Sequence, residues 1–293
     1  MTRHRAVALG LLADRAVGDK WLQPHPTALF GRLMNAVEQR LYADERARGA
    51  AHAAVGVAVG AAAGTATRAT ALATVVAVGG RSLTNAANAV SAALQDGDLG
   101  RARELLPALV GRDPSEMDEK EVCRAVVESV AENTVDAIVA PALWAAAAGA
   151  RGALAYRAIN TMDAMVGHLS ARYARYGWAS ARLDDLAGWL PARATALLVA
   201  TVRPASATAV WHTVRRDAPA HPSPNSGVAE AAFAAALGLR LGGENRYGER
   251  IEVRPPLGDG RPPESLDIGR AAALTRDVTI ALAALLALPG RKP

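Results

Sequence analysis

A stripe of carboxylates in front of an apolar segment is the feature that most constrains the fold of this chain. Glu128, Glu132 and Asp136 lie at i, i+4 and i+8, and the uncharged run Ala137–Ala150 follows directly. On an α-helix the three carboxylates share one face, with Asn133 beside them. Like charges at this spacing repel, and burying them unpaired costs several kcal/mol. The sequence therefore predicts a helix whose acidic face meets a divalent cation, arginines or both.

The apolar runs of the chain are short and weakly hydrophobic. A membrane-spanning helix needs about 20 predominantly apolar residues, whereas the longest uncharged run, 51–67, has 17. The mean hydropathy is only +0.09, and composition fits either an Ala-rich soluble helical protein or a membrane protein with weak spans. Gly56, Gly60 and Gly64 recur at i+4 spacing, which favours close helix packing in lipid, although general Gly and Ala enrichment would give the same pattern.

Helical signals dominate, and no segment keeps the period-two alternation of a strand. Residues 81–132 are polar and helical, with Asp98 and the segment Asp113–Glu116 as predicted N-terminal caps. We therefore predict an all-α, polytopic membrane protein with four or five weakly hydrophobic spans. Residues 1–293 would form a single helical membrane domain, with a water-facing helical insertion over 81–132. The later predicted segments are a helix over 228–241, an extended loop over 247–263 and a last helix over 266–289.

Charge and motifs exclude several classes of function. The chain has 33 Lys and Arg against 28 Asp and Glu, but the basic residues are spread along it, which argues against a nucleic-acid partner. Its single cysteine, Cys123, rules out an internal disulfide and a cysteine-based metal site. The sequence has no P-loop, no zinc-protease motif and no nucleophile elbow. The pair Asp184-Asp185 lacks the third aspartate of a prenyl-diphosphate motif, because position 188 is glycine.

Acids, amides and arginines gather in four polar clusters. The clusters lie around His25, along 128–136, along 156–193 and along 215–230. Carboxylates suit Mg²⁺ and arginines suit phosphate or carboxylate, so the clusters fit a phosphoryl-handling or carboxylate-activating site. Each cluster also has a structural interpretation. The acid–arginine pairs would then be salt bridges, and His25 and His221 would be loop residues braced by neighbouring prolines.

Five strings of the chain resemble the CobD/CbiB family of cobalamin biosynthesis. The two most specific strings are Glu-Ser-Val-Ala-Glu-Asn at 128–133 and His-Pro-Ser-Pro-Asn at 221–225. The other strings are Gly18-Asp19 with His25-Pro26, Ala155–Asp163 and Tyr176–Asp185. All of them occur in order, and the resemblance covers roughly Asp14 to Gly258, so chance is a poor explanation for it.

The resemblance implies a function. Members of the family are multi-pass proteins of the cell membrane that join aminopropanol, or its O-phosphate, to the free carboxylate of adenosylcobyric acid. The product is adenosylcobinamide or adenosylcobinamide phosphate, and the reaction is written as ATP-dependent. The resemblance thus implies an acid–amine ligase that uses ATP and Mg²⁺. The implied partners are the two substrates, the lipid bilayer and, in a complex, other enzymes of the corrinoid pathway.

The family strings mark positions, and chemistry suggests a role for each. Glu128, Glu132 and Asp136 are the expected catalytic carboxylates and would hold Mg²⁺ on ATP or on the substrate phosphate. His25 or His221 would deprotonate the amine. The expected substrate-binding residues are Asn133, Arg157, Asn160, Asp163, Arg172, Arg182, Asp184, Asp185, Arg193 and Asn225.

Two other functions stand as alternatives. One is a non-catalytic membrane sensor or assembly protein, similar to the AmpE-like proteins linked to β-lactamase induction. A sensor has no reason to keep acids, amides and arginines in four places, which argues against it. The other is a Mg²⁺-dependent membrane transferase acting on polyprenyl or alcohol phosphates, and the imperfect Asp-rich motifs disfavour it.

Overall fold

The computed structural model describes residues 1–19, 21–111, 113–247 and 250–288, and it describes residues 245–247, 250 and 251 by their backbone alone. Over these residues the chain is mostly helical, as predicted. The helices are α1 (Arg3–Val17), α2 (Pro26–Leu41), α3 (Arg46–Thr67), α4 (Thr70–Ala77), α5 (Gly80–Gln95), α6 (Leu99–Leu105), α7 (Glu119–Thr134), α8 (Ala140–Met162), α9 (Trp178–Val202), α10 (Ala207–Asp217), α11 (Ser226–Leu237) and α12 (Ser265–Ala287). The predicted end of the last helix, at Pro289, lies outside the described residues.

An antiparallel hairpin, which the sequence did not predict, accompanies the helices of the predicted all-α fold. Strands β1 (Leu241–Tyr247) and β2 (Arg250–Leu257) pair with each other, and β2 lies where an extended loop was predicted. Helix α11 ends earlier than predicted, because Gly238 adopts φ of 68° and closes it with a left-handed cap. Gly242 and Gly243, which directly follow the predicted helix 228–241, have φ of 85° and 108° at an irregularity in the strand register.

The contacts of the chain divide it into two compact units. The first unit comprises Met1–Gly79, Asp136–Pro191 and Leu282–Pro293, and the second comprises Gly80–Val135 and Ala192–Ala281. The predicted insertion over 81–132 is therefore packed with the later part of the chain, within the second unit. The single membrane domain and the exposure of the insertion to water stay predictions.

The first unit is built on the glycine ridge of α3. A Cβ atom at Gly56, Gly60 or Gly64 would overlap atoms of α8, so these glycines let the two helices approach closely. The contact confirms the packing role predicted from their i+4 spacing. Met34 of α2 and Met162 of α8 are fully buried and belong to the core of this unit.

Two helices in the described part of the chain are long and apolar enough to cross a membrane. They are Arg46–Thr67 and the helical stretch Glu119–Gly167, which is kinked at Ala148 and Gly149. Of their most apolar windows, 33% and 61% are buried inside the protein. The stretch Glu119–Gly167 includes α7, a π-helical turn at Val135–Val139 and α8. The sequence predicted four or five spans, and that larger number stays a prediction.

The second unit packs α7 and α11 against each other and against the hairpin. Nearly every residue of α11 is buried, and alanine is the commonest residue among them. Helix α7 buries an apolar face that includes Val122, Val126 and Val130. Ala-rich helices have small side chains and approach closely, so any polar group between them has little access to water. The buried polar residues of this unit therefore need partners within the protein.

Candidate functional site

The carboxylate stripe keeps its predicted register in α7 and loses it afterwards. Glu128 is 1% exposed, and its Oε1 accepts the N–H of Gly242 at 2.9 Å. Glu132 is half-buried, and its Oε1 accepts the Ser226 hydroxyl at 2.7 Å. Asp136 lies in the π-helical turn, which turns less per residue than an α-helix, so the predicted i+8 alignment does not carry over to it.

The neighbours of the stripe are partly those expected. In the first unit, Asp136 lies close enough to Arg157 to interact with it electrostatically, as the prediction of an arginine partner requires. In the second unit, a backbone amide and a hydroxyl bind Glu128 and Glu132 instead. Asn133 donates to the Ser129 carbonyl of its own helix at 2.9 Å. Its amide is thus engaged in local structure.

A buried ionic group lies next to the stripe in the second unit. His221 Nε2 is 3.7 Å from Glu230 Oε1, and Arg254 Nη1 is 3.8 Å from the same oxygen. The side chains of His221 and Glu230 are each 1% exposed, and that of Arg254 is 16% exposed. Glu230 comes from α11 and Arg254 from β2, so helix and hairpin together enclose the group.

The proton affinity of His221 is set by this burial. Desolvation lowers its pKa, the hydrogen bond with the Ser223 backbone opposes that effect, and the charge of Arg254 lowers the pKa further. Nδ1 lies 3.2 Å from the Ser223 carbonyl and 3.1 Å from the Ser223 nitrogen, and the bond that raises the pKa is the one that Nδ1–H donates to the carbonyl. With its hydrogen on Nδ1, the neutral imidazole keeps Nε2, the nitrogen that faces Glu230, as its proton acceptor. His221 is therefore a neutral base at physiological pH.

The structure also joins Arg193 and Asn225, which the sequence predicted as binding residues. Arg193 Nη1 donates to Asn225 Oδ1 at 3.2 Å and to the Pro224 carbonyl at 3.0 Å. Asn225 is 7% exposed and is the residue before α11. The guanidinium therefore holds the loop 221–225 against α9, which places His221 at the start of α11.

A second polar group forms in the first unit around His25. Its Nδ1 accepts the Thr27 N–H at 3.2 Å and caps α2, while Nε2 lies 3.6 Å from Asp19 Oδ2. Burial lowers the pKa of His25, Asp19 opposes this effect, and Arg157 adds to it. The helix cap agrees with the structural interpretation of His25 and leaves Nε2 as its one reactive nitrogen.

Polar residues of α8 and α9 extend this group. Arg157 Nη1 donates to Asn160 Oδ1, and Asn160 Nδ2 donates to Asp184 Oδ1, each at 3.4 Å. Asp163 begins the π-helical turn Asp163–Gly167 and packs against Gly167. The structure thus brings together in the first unit three of the predicted binding residues, Arg157, Asn160 and Asp184, and the predicted catalytic carboxylate Asp136 interacts with them electrostatically.

Other predicted binding residues make structural contacts. Arg172 donates through Nη2 to Glu38 Oε1 at 3.0 Å and stacks 3.9 Å from the Tyr42 ring centre. Glu38 is buried, and the same oxygen accepts the Tyr173 hydroxyl at 2.9 Å, so these contacts hold the loop before α9 against α2. Arg182 Nη1 lies 3.4 Å from Oδ2 of Asp185, three residues later in α9, and the Arg182 side chain is 69% exposed. These contacts match the salt-bridge interpretation of the sequence.

Three site residues were missing from the predicted set. Glu230 is the one acid of the Ala-rich segment 226–237, and such a lone charge in an apolar helix is a usable signal. Ser226 has no distinguishing pattern. Arg254 lies in the segment predicted as a loop, and its position depends on strand pairing with residues more than ten positions away.

No group of three His, Cys, Asp or Glu side chains lies close enough to hold a metal ion in the part of the chain that the structure describes. Glu132 is the carboxylate of the second unit that best fits a ligand role, because it is half-buried and Glu128 is enclosed. The Mg²⁺ site stays a prediction.

Comparison with known proteins gives a consistent result. A family model described as CobD/Cbib protein matches residues 7–275. A protein of Mycobacterium tuberculosis named "Cobalamin biosynthesis protein CobD" is 48% identical over 300 residues, covering 97% of this chain and 95% of the relative. A protein of the same name from Geobacter metallireducens is 43% identical, and the match covers 90% of this chain and 89% of the relative. Another from Chromobacterium violaceum is 42% identical, and the match covers 91% of this chain and 90% of the relative. No solved structure matches the chain.

Proposed function

Because the chain belongs to the CobD/CbiB family, we propose that it acts in cobalamin biosynthesis and joins aminopropanol or aminopropanol phosphate to the free carboxylate of adenosylcobyric acid. The product is adenosylcobinamide or its phosphate. The observation that carries the proposal is the family match over residues 7–275, together with 48% identity to a protein named for cobalamin biosynthesis.

The chemistry of this reaction requires two activations. A carboxylate and an ammonium do not condense to an amide at neutral pH, so the carboxylate needs a leaving group and the amine must lose a proton. We propose an ATP-dependent ligase. The carboxylate oxygen attacks the terminal phosphorus of ATP and releases ADP, and the amine nitrogen then attacks the acyl carbon and releases phosphate. The nitrogen's proton passes to a base of the protein.

The buried ionic group of the second unit supports this assignment. His221 is neutral and accepts a proton, and the Glu230 carboxylate 3.7 Å away stabilises the imidazolium that results. Arg254, 3.8 Å from the same carboxylate oxygen, places a positive charge beside Glu230. Ser226, the first residue of α11, donates its hydroxyl to Glu132 of α7, and the charge of Glu132 acts on His221 electrostatically.

Magnesium fits this site as an ion brought by a phosphate-bearing substrate. Mg²⁺ usually keeps several waters and uses one or two carboxylates together with substrate phosphates. Glu132 would supply such a carboxylate, with Glu128 behind it. When bound, the ion would neutralise phosphate charge.

We propose that the protein is a multi-pass protein of the cell membrane. Helix α3 has 22 residues and a length of about 33 Å at 1.5 Å per residue, enough for a hydrocarbon core of about 30 Å. The first unit also exposes large apolar side chains on several helices, among them Leu9, Leu33, Leu72 and Leu190. Contact with lipid would remove these side chains from water.

The test is an assay on detergent-solubilised protein. The reaction receives adenosylcobyric acid, aminopropanol or aminopropanol phosphate, and Mg²⁺, with and without ATP, and mass spectrometry detects the amide. Product that depends on ATP is expected. Folded protein that forms no amide with either amine would refute the enzymatic proposal and favour a non-catalytic membrane protein of the pathway.

A further inference from the structure

A cleft of about 610 Å³ opens on the second unit beside the proposed catalytic group. The start of α7 forms one wall, and the β1–β2 hairpin forms another. Four cationic side chains, those of Lys120, Arg124, Arg240 and Arg254, line it. No predicted site residue lies in this cleft.

Three of these cations have no carboxylate within ion-pair distance among the described residues. They are Lys120, Arg124 and Arg240. Arg124 donates to the main-chain carbonyls of Gly242 and Glu244, which fix its guanidinium without neutralising it. Positive charges concentrated at a cleft without acidic partners favour an anionic ligand.

The acidic side chains at the rim are partly engaged elsewhere. Asp118 Oδ1 accepts the Glu121 N–H at 2.8 Å, and Glu121 Oε2 accepts the Asp118 N–H at 2.9 Å, in a capping box at the start of α7. These two carboxylates accept backbone N–H groups at the start of α7. The carboxylate of Glu244 also lines the cleft, on the exposed side of the hairpin.

The backbone of the hairpin is shaped to hold Arg124 in place. Gly243 has φ of 108°, and a Cβ there would lie 2.8 Å from Arg124 Nη1. Only glycine adopts this conformation readily and also leaves room for the guanidinium. The same turn gives the Gly242 N–H to Glu128. The floor of the cleft is thus tied to the carboxylate stripe.

Arg254 connects the cleft with the buried base. Its side chain lines the cleft, and its Nη1 lies 3.8 Å from Glu230, which in turn lies 3.7 Å from His221. A ligand held in this cleft is therefore separated from the proposed base by two side chains. The wall beyond the cations is apolar and includes Val253, which is 76% exposed, and Pro256.

We propose that this cleft binds a small organic phosphate, with the phosphate on Lys120, Arg124 and Arg240 and the organic part against Val253 and Pro256. The proposal rests on the proposed function and deepens it, because that reaction uses two such ligands, ATP and aminopropanol phosphate. Arginine binds phosphate oxygens with paired N–H groups, which suits a chain without a P-loop.

The test is direct binding to the full-length protein in detergent, measured by titration calorimetry with ATP, aminopropanol phosphate and inorganic phosphate in separate experiments. The test variant carries Lys120→Gln and Arg240→Gln, both exposed side chains without ion pairs among the described residues. The control is Arg101→Gln, an exposed arginine of α6 in the same unit. We expect the double variant to bind ATP, aminopropanol phosphate or both at least about tenfold more weakly, and the control to bind as the wild type.

The pattern of loss identifies the ligand. Weaker binding of ATP alone assigns the cleft to the nucleotide, and weaker binding of aminopropanol phosphate alone assigns it to the amine. Inorganic phosphate should bind more weakly than either, because it makes no contact with the apolar wall. Unchanged binding of both organic phosphates would overturn the proposal. If such a variant still forms the amide, the proposed function stands and the phosphate site lies elsewhere.

Discussion

Replacing His221 by glutamine tests the buried base in two independent ways. The substitution keeps a polar side chain of similar length but removes the titrating imidazole. A general base contributes about 10²- to 10⁴-fold to a reaction rate. We expect the rate of amide formation to fall at least about 100-fold, with a weaker acid limb in the pH–rate profile of the variant.

The stability of the same variant should depend on pH with a definite sign. Burial lowers the pKa of His221 in the folded protein below the ordinary value of 6.5. Above that value neither state takes a proton, whereas below it the unfolded chain is protonated and the folded one is not. The wild type therefore loses stability as the pH falls, by at most about 1.4 kcal/mol per pH unit. The variant lacks this loss.

The assays are amide formation between pH 5.5 and 8.5 and denaturant unfolding in detergent at pH 7.5 and 5.5. At pH 7.5 the variant should be less stable by about 1 kcal/mol, because the Ser223 backbone loses its hydrogen bond with Nδ1. This difference should shrink at pH 5.5. The control is His212→Gln, an exposed histidine of α10. A His221 variant with wild-type rate, or a stability difference that grows on acidification, would refute the reasoning.

Three further changes test the remaining assignments. Glu132→Ala should abolish amide formation and leave expression and membrane insertion intact. The control Glu104→Ala, on the exposed face of α6, should leave all three unchanged. A wild-type rate in the Glu132 variant would remove Glu132 from the mechanism. Gly64→Leu should lower the unfolding free energy by about 3 kcal/mol or more, because its side chain would overlap the backbone of α8, and Ala62→Leu on the exposed side of α3 is the matched control. Asp267→Asn should cost about 3 kcal/mol at pH 7, since this buried carboxylate lies 2.6 Å from each of two arginines. Burial acts to raise the pKa of Asp267, but its arginine partners hold it below the usual value. The wild type should therefore lose stability as the pH drops below about 4. A stability difference between wild type and variant that stays constant over this pH range would contradict the assignment.

Local signals in the sequence predicted the helices but not always their starting points. Asp98 caps α6 as predicted, with its Oδ1 accepting the Arg101 N–H at 2.8 Å. The predicted capping box at Asp113–Glu116 is wrong, because α7 begins at Glu119 with Asp118 as its cap. Both sites have an aspartate followed three residues later by a glutamate, so the local pattern cannot separate them. Burial of the apolar side of α7, from Val122 onward, selects the second.

The hairpin could not be predicted from the sequence, for a different reason. Its strands contain glycines, prolines and charged residues rather than an alternation of apolar ones, so the period-two signal is absent. Pairing between β1 and β2, together with contacts to α10 and α11, stabilises them instead. These contacts are tertiary, and a reading based on local periodicity cannot contain them.

The contrast between two arginines shows why residue type alone did not define the site. Arg172 and Arg124 are equally suited to phosphate by chemistry, and only Arg172 was predicted as a substrate-binding residue. In the folded chain Arg172 meets the buried carboxylate of Glu38, a partner 134 residues away in sequence, and its charge is used there. Arg124 meets only main-chain carbonyls, so its charge stays available at an open cleft. An arginine's availability for a ligand is thus a property of its partners, and distant partners become visible only in the fold.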